Sequence, residues 1–218
     1  MQSKAYRGVG MEGPIARWYA KITQRDIEDF RALARRMSEG LRPGAKVLEV
    51  APGPGYFAIE LAKLGNYDIT GIDISETFVE IARSNAEEAG VKIDFQLGNA
   101  SSMPFADDSF DLILCRAAFK NFTAPVGALR EMRRVLKPGS KALIIDLRKD
   151  TPKQEIDRHV DKMRVGRWNS VFIKFTFRAV LLKRAYTRAD FEQFIARSGF
   201  QKFQVAEAPL GFEITLLK

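Results

Sequence analysis

The chain has 218 residues, 46% hydrophobic and 28% charged, a composition that excludes disordered and collagen-like polymers and leaves room for one large domain or two small ones. Its single cysteine, Cys115, excludes an internal disulfide framework and any multi-cysteine zinc site, so no metal centre is expected. The longest uncharged stretch, the twelve residues Phe95–Ala106, contains Gln, Gly, Asn, Ser and Pro, and the opening MQSKAYRGVGMEG has no apolar core of signal-peptide length; a cytoplasmic protein without a transmembrane helix is expected.

Residues 1–40 read as a helical cap. Thr23-Gln24-Arg25-Asp26 has capping-box spacing, and Ile27, Phe30, Leu33, Ala34 and Met37 recur at helical period until Leu41-Arg42-Pro43-Gly44 stops the helix. From Lys46 short apolar runs alternate with amphipathic helices. The runs are VLEV (47–50), DITGID (68–73), IDFQLGN (93–99), FDLILC (110–115) and KALIIDL (141–147), with helices near 56–64, 75–89 and 124–136. Near-continuous apolar runs mark strands buried on both faces, and intervening helices make them parallel, which predicts a doubly wound α/β sheet with ligands at the carboxyl ends of its strands. Thr151-Pro152-Lys153-Gln154-Glu155 has the pattern of another capping box, opening a helical insertion or lid over 149–186, and Thr187-Arg188-Ala189-Asp190 starts a further helix. FQKFQVAEA (200–208) and GFEITLLK (211–218) close the chain as an antiparallel edge pair. A single domain over 1–218 is expected: cap 1–40, core 41–148, insertion 149–186, and final helix and strands 187–218.

The formal charge of +8 is unevenly placed. Residues 1–147 carry 20 Lys and Arg against 19 Asp and Glu, residues 148–188 carry 12 against 4, and residues 189–218 carry 3 against 4. One segment therefore holds the excess, which attracts anions in general or is simply a solvated helix face. Within it Trp168, Phe172, Phe175, Ala179 and Leu182 recur on one helical stripe, with Arg167, Lys174 and Arg178 on another. That pattern over 167–184 suits a lid above an apolar substrate, a peripheral membrane contact, or a helix covering the flank of the sheet.

The densest local signal is VLEVAPGPGYFAIELAK, residues 47–63: a strand, a turn through Gly53 and Gly55, and a helix. Glycine admits positive φ and close approach of a ligand. Asp73 ends the next strand, where a carboxylate can accept two ribose hydroxyls. Glu49, just before the loop, suits a cationic amino-acid group and is badly placed beside a pyrophosphate. LGNASSMPFADDSFDLI (97–113) adds a polar residue after strand three and a Met-Pro-Phe loop, and VLKPGSKALIIDL (135–147) sets a Pro-Gly turn before strand five.

Together these segments resemble the class I S-adenosylmethionine (SAM) methyltransferases, and most closely the methyltransferase type 11 group that includes the quinone-biosynthesis methyltransferases. The resemblance covers residues 40–148 closely and the remainder in architecture. It implies a Rossmann-like seven-stranded sheet, mostly parallel with an antiparallel last strand, and SAM as cofactor. It places Glu49, Gly53 and Gly55 at the methionine part of SAM, Asp73 on the ribose, Ile74 against adenine, and Asn99 on the exocyclic amine where the group usually has Asp. It further places a backbone N–H of Ala100 and an apolar wall from Met103 at adenine, with Arg116 and Ala117 as the floor beneath the sulfonium. Pro52 and Pro54 depart from the commonest loop and stiffen it.

Transfer from a sulfonium needs orientation above all, and a base only for a poor nucleophile. Candidate groups are His159 in the insertion, Tyr6 and Tyr19 in the cap, Lys120 with Asn121 after strand four, and Asp146 near the end of strand five. The expected reaction is methylation of a small apolar or aromatic acceptor by a monomer or homodimer. A nucleic-acid (RNA) methyltransferase is disfavoured because CRAAFKNF after strand four holds no Asp/Asn-Pro-Pro-aromatic motif. A non-catalytic SAM-binding protein stays as the reading of another class. A nicotinamide dehydrogenase is disfavoured by Glu49.

Overall fold

A computed structural model describes residues 6–7, 10–162 and 181–218. Its centre is a seven-stranded sheet: β1 Lys46–Val50, β2 Asp68–Asp73, β3 Asp94–Leu97, β4 Phe110–Arg116, β5 Leu136–Leu147, β6 Lys202–Glu207 and β7 Gly211–Leu217. The spatial order is β3-β2-β1-β4-β5-β7-β6. The first five strands pair in parallel, and β7 runs antiparallel to both β5 and β6. The antiparallel last strand expected from sequence is therefore present, but it lies inside the sheet, and β6 forms the edge. β6 is largely exposed and carries Lys202 and Glu207 at its ends, charges of the kind that discourage edge-to-edge pairing.

The longer helices among the described residues are α1 Gly13–Thr23, α2 Ile27–Ser38, α3 Tyr56–Ala62, α4 Glu76–Glu88, α5 Pro125–Val135, α6 Lys153–Lys162 and α7 Arg188–Ala196. Alternation along each strand divides the core. Val47, Ile69, Leu112, Leu114 and Leu143 face α2, α3 and α4, while Leu48, Val50, Ile113, Cys115, Ile144 and Ile214 face α5 and α7. Both faces are covered, which explains why the parallel strands read as unbroken apolar runs.

Local signals succeed or fail for identifiable reasons. The capping box at Thr187 is complete: its side chain accepts from Asp190 N–H and the Asp190 carboxylate accepts from Thr187 N–H. Ser75 caps α4 by accepting from Phe78 N–H at 3.0 Å. Thr23 does not cap. Its backbone is already helical (φ −69°, ψ −18°), because α1 passes into α2 through a 3-10 turn, Gln24–Asp26. A cap needs extended backbone, so the Thr23 hydroxyl instead donates back to the carbonyls of Tyr19 and Ala20. The Thr151 hydroxyl likewise donates to the carbonyls of Arg148 and Leu210, tying the end of β5 to the β6–β7 turn, and α6 begins at Lys153. Of the stripe expected over 167–184, all but Leu182 lies outside the described residues.

Candidate active site at the carboxyl ends of the strands

Chain direction around β1 reverses the order of the sheet: β2 and β3 lie on one side, β4 and β5 on the other. Such a switch point leaves a crevice beyond the carboxyl ends of the strands. β1, β2 and β4 end on that side at Val50, Asp73 and Arg116, and Asp146 is the last residue but one of β5.

On the β1–β2 side two carboxylates are buried. Asp73 accepts from Gly53 N–H and from Ser75 N–H, each at 3.0 Å, which ties the Gly-rich loop to the end of β2. Burial nevertheless raises its pKa from 3.8 to about 6, the backbone donors working against the shift. Glu49, on the α3-facing side of β1, accepts from Ala58 N–H at 3.1 Å. Burial raises its pKa from 4.5 to about 8, with the backbone bond and the charge of Arg116 only partly opposing. Neither carboxylate has an ion pair among the described residues. Both are held by backbone donors in a site that favours their neutral form until a cation or a set of hydroxyls arrives.

The two glycines of the loop differ in purpose. Gly53 has φ +54°, and a methyl there would meet only Phe78 Cζ at 4.0 Å, so packing leaves room at this position. Gly55 has φ +79°, but a Cβ there would sit 2.7 Å from Phe95 Cζ and 3.1 Å from Ala82 Cβ. The expectation that Gly55 clears space for a ligand is therefore corrected: it clears space for the buried Phe95 ring. Ile74, next to Asp73, is 42% exposed, available as an apolar face. Asn99 accepts from Ser101 N–H at 2.9 Å through Oδ1, which shapes the loop that carries Ala100. Met103 is buried in the core, its N–H donated to Glu131 at 2.7 Å, so it supports that loop from beneath more than it presents a wall.

On the β4–β5 side the chemistry is different. Arg116 lays its guanidinium 4.2 Å from the centre of the Phe30 ring, bringing α2 against the end of β4. Ala117 follows at φ +58°, with its N–H donated to the Ile145 carbonyl at 2.7 Å. Lys120, considered above as a substrate-side group, is buried. Its ammonium lies 3.0 Å from Asp146 Oδ1 and also donates to the Ala117 carbonyl. Asp146 accepts in addition from the backbone N–H of Lys120 (2.8 Å) and of Leu147 (2.7 Å). This pair clamps the loop after β4 onto β5. It is a correction to Lys120 as a base, because a buried ammonium paired with a carboxylate has no lone pair to offer.

Tyr6 and Tyr19 come to the mouth from the cap. Tyr6 bridges to Phe122, and Arg7 N–H donates to Asn121 O at 2.7 Å. Tyr19 meets Phe78 edge-on at 5.9 Å. Burial raises both phenols, Lys120 and Arg184 opposing at Tyr6 and Arg116 opposing at Tyr19, so both are neutral hydroxyls at neutral pH. The side chain of His159 lies outside the described residues. Glu12, which the sequence did not single out, accepts from Glu76 N–H (3.2 Å) and Thr77 N–H (3.1 Å), capping α4 from another element, while Gly13 N–H donates to the Thr77 hydroxyl and Ser75 donates to Met11 O. No cluster of three or more His, Cys, Asp or Glu suited to a metal occurs among the described residues, and no described helix is long and apolar enough to cross a membrane.

A doubly wound sheet with one reversed strand next to its edge, an acid at the end of β2 and a glycine loop after β1 define a nucleoside-binding methyltransferase fold. Residues 48–144 match the model of the methyltransferase domain family, the same stretch that carries the loop after β1 and the acid at the end of β2. The same segment carries the likeness to an uncharacterized methyltransferase, YcgJ, of Bacillus subtilis (37% identical over 122 residues, 55% of this chain and 48% of the relative). It is also similar to the ubiquinone/menaquinone biosynthesis C-methyltransferase UbiE of a Shewanella species (34% over 125 residues, 56% and 49%). The matched part spans about half the length of these relatives. The solved YcgJ structure is 27% identical with a TM-score of 0.61, covering 83% of this chain and 71% of that one. A Methanococcus maripaludis protein, 22% identical, superposes with a TM-score of 0.78 over all of this chain and 97% of its own, and shows the fold.

The residues present fit SAM, the cofactor that the resemblance of the motifs implies. Asp73 offers carboxylate oxygens to hydroxyls, Glu49 a buried acceptor for an ammonium, Gly53 an open backbone, and Ile74 an apolar face.

Proposed function

We propose that the protein transfers a methyl group from SAM to a small apolar or aromatic acceptor. The observation that carries this reading is the pair of buried carboxylates, Glu49 and Asp73, held by backbone donors around the Gly53 loop within a methyltransferase domain. When bound, SAM supplies a methyl on a positively charged sulfur, already activated for in-line displacement. Glu49, Gly53, Asp73 and Ile74 would hold it, and its sulfonium would supply the methyl to an acceptor that gives up its own proton to solvent.

The chain's own part is positioning and exclusion of water. The Lys120–Asp146 clamp fixes the loop Ala117–Asn121 beside the crevice, and oriented approach alone contributes about 7–11 kcal/mol to such reactions. Tyr6 and Tyr19, kept neutral by burial, serve as walls and hydrogen-bond donors, not bases. An acceptor that ionises readily by itself, such as a hydroquinone or an acidic phenol, suits a site with this inventory. The UbiE relative, named for ubiquinone and menaquinone biosynthesis, supports an acceptor of quinone type.

The test is incubation with methyl-labelled SAM and a panel of hydroquinones, phenols and amines, followed by mass spectrometry. Label on the apolar aromatic members supports the proposal. Label on RNA alone would favour the nucleic-acid reading that the basic segment 148–188 suggests, and SAM binding with no label anywhere would favour a non-catalytic binder.

A further inference from the structure

α1 presents two unlike faces. Ala16 and Ala20 are buried, and the Ala20 carbonyl accepts from Tyr56 Oη at 3.0 Å. Outward lie Ile15 (43% exposed) and Trp18 (64%), the latter the most exposed large hydrophobic side chain among the described residues. Ile22, half-buried, continues them at i, i+3 and i+7, so the three form one stripe. Arg17 and Lys21, both exposed, flank Trp18 on its other side, and Arg25 extends that row into the next turn. From Gly13 to Arg25 there is no acidic residue.

An apolar stripe with an indole at its centre and a cationic border has the chemistry of a helix lying in a membrane interface. The ring sits at headgroup level, the aliphatic groups reach just below, and the cations meet phosphates. We propose that the outer face of α1 docks on an anionic lipid bilayer. Charge selects this occupant over a second copy of the chain: a two-fold contact through the same face would set Arg17, Lys21 and Arg25 against themselves. The stripe borders Tyr19, whose ring meets Phe78 at the mouth of the crevice, so docking would bring that mouth to the surface where apolar molecules partition. Docking goes beyond the proposed methyl transfer, because vesicle binding is read without donor or acceptor and stands or falls independently of it.

The experiment is co-sedimentation of the full chain with phosphatidylcholine vesicles, with and without phosphatidylglycerol, at low and high salt. Emission of Trp18 is followed in a Trp168→Phe background. Binding is expected only with the anionic lipid, weakened by salt, with a blue shift of Trp18. Each of Arg17→Gln, Lys21→Gln and Arg25→Gln is expected to weaken partition about fivefold, and Trp18→Ser, read by sedimentation, to lose most of the vesicle binding while thermal melting and SAM binding are retained. Equal binding to both vesicle types, no binding to either, a Trp18→Ser variant that sediments like the parent, or concentration-dependent self-association lost in that variant would overturn the proposal.

Discussion

The two halves of the strand ends solve the problem of buried charge in opposite ways. Beyond β4 and β5, Asp146 is met by the Lys120 ammonium and two backbone N–H groups, and the ammonium has the Ala117 carbonyl as well. Beyond β1 and β2, Glu49 and Asp73 have backbone donors alone and are pushed toward neutrality, to about 8 and about 6. The first half is self-sufficient architecture, whereas the second gains most from a cationic, hydroxyl-bearing ligand. A buried acid with a paired cation is thus a poor marker of a binding site, and one with backbone donors only is a good one.

The contrast is broken most severely at the clamp. Lys120→Met leaves Asp146 buried without its cation and is expected to lower stability by about 3–5 kcal/mol, seen as a fall in Tm of roughly 2–4 °C per kcal/mol for a chain of this size. A near-unchanged melt would show that the pair is not what holds the loop. Next come the glycines. Gly55→Ala meets both the Phe95 ring and left-handed backbone, and should cost about 2 kcal/mol or more. Gly53→Ala meets only the backbone cost, so it should melt closer to the parent but bind SAM more weakly. Equal melts for the two variants would contradict their different roles.

Asp73→Ala should weaken SAM binding by about 1.5–3 kcal/mol, one to two orders of magnitude at about 1.4 kcal/mol per decade. Unchanged affinity by calorimetry would remove Asp73 from the site. The last effect is in pH. Glu49 has a folded pKa above its ordinary value, so the folded chain holds a proton that the unfolded chain releases between pH 4.5 and about 8. Stability conferred by that proton is full at the acid end and declines as pH rises through the window, by at most about 1.4 kcal/mol per pH unit. Glu49→Gln, always neutral, should flatten this part of the profile in chemical denaturation; parallel profiles would place the carboxylate in solvent.

The parallel core was readable because burial on both faces leaves an unambiguous mark: DITGID over 68–73 matches β2 residue for residue. That Asp73 ends β2 and that Gly53 turns the chain after β1 was readable because strand–turn–helix spacing defines those places. What escaped depends on contacts distant in sequence. Glu12 caps a helix 64 residues away, and Lys120 finds Asp146 across 26; no local pattern marks either. Gly55 was misread because positive φ looks the same in sequence whether the missing methyl would meet a ligand or Phe95. Thr23 was misread because capping-box spacing does not reveal whether the chain is already helical when it arrives.

The most direct test of the asymmetry is calorimetric titration of the full chain with SAM at neutral pH, in two buffers of different ionisation enthalpy. An ammonium arriving at Glu49 draws its pKa down, so binding should release protons, and the difference between buffers should vanish in Glu49→Gln. Binding with no proton release in the parent chain, or no binding of SAM where NAD binds, would contradict it.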